Sequence, residues 1–124
     1  MLDIYNAQQL IFESNTMAFP NDETGNVLQE MQAAGIDLSV THEVVFFQLF
    51  EQQAQAQALV DHLTDVAPTM KVSIHPDTET PNVWDVDCSV NMVPSYDGIV
   101  AQEAEFEQLA AKFKGYNDGW GIEA

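Results

Sequence analysis

The chain has 124 residues, with 20 acids against 3 Lys or Arg, for a formal net charge of −17. At 46% apolar residues it is too hydrophobic to be a disordered polyanion, so the charge belongs on the surface of a folded body. Phosphate binding needs clustered cations, and Lys71, Lys112 and Lys114 alone argue against nucleic acid as a direct ligand and against anionic membranes, leaving a basic protein segment as the natural partner.

Residues 1–21 read as an apolar strap or short helix carrying Leu2, Ile4, Leu10, Ile11 and Phe12, closed by Pro20. The stretch lacks the basic region of a secretory signal, and no apolar run approaches the length of a membrane span, so a cytoplasmic location is expected. Asn21 or Asp22 then caps a helix to about residue 34, with Val27, Leu28, Met31 and Ala34 at helical spacing and Gly35 just past its end. Residues 41–50, THEVVFFQLF, form the most β-prone run in the chain. Alternation puts Val45, Phe47 and Leu49 on one face and Val44, Phe46 and Phe50 on the other, so this strand needs cover on both sides and must be central.

Residues 51–67 repeat the helical pattern through Ala56, Leu59, Val60, Leu63 and Ala67 before Pro68. A short strand over 70–75 leads into a polar loop from His75 to Asn82. Residues 83–93 alternate cleanly, with Trp84, Val86, Cys88, Val90 and Met92 opposed to Asp85, Asp87, Ser89 and Asn91. Ser95 caps a third helix to Lys114, whose stripe is Ile99, Phe106, Leu109, Ala110 and Phe113, with Gly115 as its stop. Residues 116–123 make a last strand that Gly119 and Gly121 assign to a sheet edge or a bulge. After the first helix the order is β-α-β-β-α-β. This predicts an α+β, ferredoxin-like sandwich over 22–124, with a four-stranded antiparallel sheet and an extra N-terminal helix. The two plait helices cover one sheet face; the first helix, the strap or a second copy in a homodimer is expected to cover the apolar row on the other.

The last third carries a more specific signal. Met92-Val93-Pro94, a helix bearing Phe106-Glu-Gln-Leu-Ala-Ala-Lys-Phe113, and then Gly115-Tyr116-Asn117-Asp118-Gly119-Trp120-Gly121 resemble the regulator of ribonuclease E activity B (RraB) family. Asn117 stands between Tyr116 and Asp118, where the family pattern has Tyr directly before Asp. The resemblance implies a ferredoxin-like, acidic, cytoplasmic protein. It further implies a regulator in RNA metabolism that binds the basic, non-catalytic scaffold region of an endoribonuclease and inhibits it.

Asp118, Gly119 and Trp120 are candidate partner-binding residues, because Trp anchors interfaces and glycine lets a partner's backbone approach. The plainer alternative is a tight edge turn with Trp120 packed in the core. Asp85 and Asp87 share one strand face and could dock a basic peptide; the plainer alternative is a solvated face. His42, His62 and His75 show no ligand spacing, so no metal or cofactor is expected, and the lone Cys88, which cannot form an internal disulfide, reads as a buried, inert thiol. No nucleophile elbow, phosphate loop or paired-carboxylate motif supports an enzyme. The competing reading is a small-molecule-binding or enzymatic domain with a site on the open sheet face, marked by a pocket of convergent polar groups and a strongly perturbed titratable residue.

Overall fold

Seven elements follow one another in a computed structural model that describes residues 19–123: α1 (Glu23–Ala33), β1 (His42–Phe50), α2 (Gln53–Val66), β2 (Lys71–Pro76), β3 (Trp84–Met92), α3 (Tyr96–Lys112) and β4 (Tyr116–Glu123). The strap or short helix expected before Pro20 lies, up to residue 18, outside the described residues. Local chemistry sets each boundary. Asp22 caps α1 by accepting a 2.8 Å bond from the Gly25 N–H, and Ser95 caps α3 by accepting from the Gly98 N–H at 3.1 Å. Past α1, Gly35 takes the left-handed conformation (φ +96°), and the Gly35 and Ile36 N–H groups bond back to Gln32 and Met31.

The strands form one antiparallel sheet in the order β2-β3-β1-β4, which is the ferredoxin-like arrangement with β1 and β3 central. One face of β1 supplies Val44, Phe46 and Phe50 to a core completed by Val86 and Cys88 of β3, Ala56, Leu59 and Leu63 of α2, and Ile99, Phe106 and Ala110 of α3. The Phe46 and Phe106 rings stack with centroids 5.2 Å apart. On the opposite face Val45 is only 7% exposed and Phe47 is half-buried, so that apolar row is not left in water in the single chain. Helix α1 packs against α3 and is tied to it by a hydrogen bond from the Tyr96 hydroxyl to the Asp22 carboxylate.

The α3 stop differs in detail from the sequence reading. The left-handed residue is Lys114 (φ +70°), not Gly115, and the Gly115 N–H closes the turn on the Ala110 carbonyl at 2.8 Å. Glycine is required at 115 for space: a Cβ there would come within 2.3 Å of the buried Phe50 ring. Gly115→Ala is therefore expected to force the Phe50 ring to move and to destabilise the fold by about 1–3 kcal/mol, the cost of overpacking a filled core. A urea unfolding curve checks this through a lowered midpoint at unchanged slope.

Candidate functional site

The Asp118-Gly119-Trp120 segment sits on the edge strand and interrupts its pairing. Asn117 lies opposite Gln48 and Trp120 opposite Phe46, so β4 spends one more residue than β1 over the same span and bulges beside Phe47. Gly119 takes φ +104°, and a Cβ there would meet nothing within 4 Å, so conformation rather than crowding selects glycine and its backbone is open to approach. Trp120 is on the helix side of the sheet, packed against the core cluster and half-buried, while Asp118 is exposed. The indole packs inward, and the motif also lines a surface. That surface is a cavity of about 590 Å³ at the β4 edge, walled by Glu23, Thr24 and Val27 of α1, Phe47 of β1, Glu103 of α3, and Asn117 to Trp120 of β4.

A row of polar groups runs from the core to this cavity. The Cys88 thiol donates to Gln48 Oε1 at 3.3 Å, and Asn117 Nδ2 donates to Glu103 Oε2 at 3.2 Å. Gln48 is fully buried, and its Nε2 donor and the Asn117 Oδ1 acceptor are both buried without a partner. Burial first, and the nearby Asp87 charge second, push the Cys88 thiol up to about 12, so it is a protonated donor and not a nucleophile at neutral pH. Neither amide could be picked out beforehand, because Gln48 reads as a single polar interruption in an apolar run.

Asp85 and Asp87 lie on the open face of β3, but not as a free acidic pair. His75, read as the junction of the 70–75 strand and the loop, is part of β2 directly opposite Asp85. Its Nε2 lies 2.9 Å from Asp87 Oδ2, and its Nδ1 lies 3.8 Å from Asp85 Oδ2. The bond to Asp87 raises the His75 pKa. Asp85 is pushed up to about 6, chiefly by desolvation and then by the neighbouring Asp77 carboxyl, with which it shares a hydrogen bond. Asp77 is held low, first by the Thr80 N–H it accepts at 2.6 Å. Among the described residues, no group of three His, Cys, Asp or Glu is arranged to hold a metal ion.

The structure does not merge the two candidate groups. Asp87 pairs with Phe47, and Phe47 faces the Asp118–Gly119 bulge, so two strand spacings, roughly 10 Å, separate them. The strongly perturbed carboxyl and the cavity, which together would mark a catalytic pocket, are therefore at different places: Asp85 is not among the cavity walls.

The fold and site together define an acidic α+β, ferredoxin-like plait with a bulged Asp-Gly-Trp edge strand. The chain belongs to the family described as Regulator of ribonuclease activity B, whose family model matches residues 21–122. No curated protein matches it. Among the described residues, no helix is long and apolar enough to cross a membrane.

The titrating cluster fixes a pH dependence. Asp85 ionises near 6 in the fold against an ordinary 3.8, so stability falls as pH rises across that window. His75 is raised, so its contribution is complete below its ordinary 6.5 and is lost as pH climbs through the raised value. Asp22, Asp37, Glu43 and Asp77 are held low and act with the opposite sign, losing their contribution only as pH falls below the ordinary carboxylate range. Urea midpoints should accordingly peak near pH 4 and decline by pH 8. Asp85→Asn keeps a donor for Asp77 without the buried charge, and should flatten the decline between about pH 4 and 6. It should also gain on the order of 1 kcal/mol at pH 7.

Proposed function

We propose that this protein regulates a ribonuclease by binding a basic, non-catalytic segment of it through an acidic surface, in the cytoplasm and without turning over a substrate. The observation that carries the reading is the charge imbalance of a folded member of this family: a formal net charge of −17 with only three Lys or Arg. Lys71 is itself bridged to Glu43 at 3.1 Å, and the other two cations, Lys112 and Lys114, sit together at and just past the end of α3. A field of one sign steers a basic chain from a distance, while a buried contact holds it afterwards. Asp85 and Asp87 contribute to the first role, and Asp118, Gly119 and Trp120 to the second.

Titration of an Arg-rich peptide and of the ribonuclease's basic region against rising salt tests this. Screening shortens from about 10 Å at 0.1 M to about 3 Å at 1 M, so affinity should fall steeply over that span. Asp87→Asn should slow association by a few-fold with little change in dissociation. Binding indifferent to salt, or absent for both targets, would remove the reading.

A further inference from the structure

We infer that the cavity at the β4 edge seats the guanidinium of one arginine from the bound segment, which turns a diffuse electrostatic attraction into a registered contact. The inference rests on the basic-segment reading above and deepens it.

The walls state the chemistry. Glu23, Glu103 and Asp118 bring three carboxylates to one concavity, and its walls carry no Lys or Arg among the described residues. An anionic guest is therefore repelled, and an apolar one would bury carboxylates without partners. Trp120 and Phe47 add aromatic surface beside those acids, the setting in which a cation is attracted to a ring face. Asn117, also in the wall, has a buried Oδ1 that accepts nothing. A guest that satisfies this site must be cationic, rich in N–H donors and flat enough to stack. Guanidinium has five donors in one plane and a weakly hydrated face, whereas an ammonium is compact, strongly hydrated and offers three.

The geometry also suits a side chain that belongs to a polypeptide. About 590 Å³ lies within the range of small-ligand pockets and leaves room for the aliphatic stem. The left-handed Gly119 opens the rim to a partner's backbone, since a Cβ there would meet nothing within 4 Å. Glu103 is held in advance by the Asn117 amide at 3.2 Å, so less freedom is lost when it engages the guest.

The test uses the full chain and two probes. In the first arm, N-acetyl-arginine methylamide and its lysine counterpart are titrated at low salt. The readouts are the Trp120 indole N–H and the Asn117 carboxamide signals by NMR, with Trp84→Phe assigning the indoles. Saturable shifts with the arginine compound, several-fold larger than with lysine and lost in Glu103→Gln and Asp118→Asn, are expected. In the second arm, each arginine of a bound Arg-rich peptide is replaced by lysine. One position should weaken binding by about tenfold, as for a dominant anchor, and the penalty should vanish in Glu103→Gln. Glu79→Gln, an exposed acid outside the cavity, is the control for general charge loss.

If the peptide binds with normal salt dependence but Glu103→Gln and Asp118→Asn match Glu79→Gln, the seat is overturned and the basic-segment reading stands. If the arginine compound moves Trp120 while no basic peptide binds, the seat stands and that reading falls. Equal shifts from lysine and arginine overturn the assignment to guanidinium.

Discussion

Strand β1 has no polar face to give to water, and the architecture follows from that constraint. Val44, Phe46 and Phe50 are fully buried on one side and Val45 nearly so on the other. Each such group forgoes roughly 1.5–3 kcal/mol if left exposed, so leaving even one face bare would rival the net stability of a small domain. The strand must lie inside the sheet, with β3 and β4 as its neighbours and α2 and α3 above it. The remaining side must be closed by something other than the two plait helices. Phe47 marks where that closure is incomplete, because it meets α1 residues across a cavity rather than in continuous packing.

The incompleteness is where the fold and the proposed function meet. A bulge next to Phe47 gives up pairing on an edge strand, and edge strands are where a sheet can afford irregularity. In exchange it presents an aromatic ring, an exposed carboxylate and open backbone together. The rest of the acidic surface acts at a distance and carries little shape, so it draws basic chains without choosing among them. A concavity of fixed chemistry supplies the choice.

Much of this was legible in the sequence, and what was not has definite causes. All seven elements fall within a few residues of where caps, stripes and alternation put them, since Asp22, Ser95, Gly35 and Pro94 speak through local chemistry. The edge position and the bulge of β4 could be read from Gly119 and Gly121. The pairing of His75 with Asp85 could not, because it depends on how many residues the intervening loop takes up, and a loop has no periodicity. The cavity was equally silent: it arises from how α1 leans on α3, a contact fixed by Tyr96 and Asp22, which are far apart in the chain. Gly115 looked like a helix stop and is one, but the reason for glycine is the Phe50 ring, a tertiary fact.

The two buried amides have a further consequence, for alignment. Gln48 and Asn117 stand directly opposite each other on paired strands, one with an idle donor and the other with an idle acceptor. Slide β4 by one residue along β1 and Asn117 rotates to the other side of the sheet, away from Glu103. That breaks the Asn117–Glu103 hydrogen bond and turns Trp120 away from the core it packs against. Losing the partner of a part-buried group costs about 1–3 kcal/mol. A short, glycine-bearing edge strand would otherwise be the easiest part of this sheet to mis-seat or to lend to another copy. Asn117 and Trp120 together act as a key that fits at one offset, which gives β4 a single place to dock.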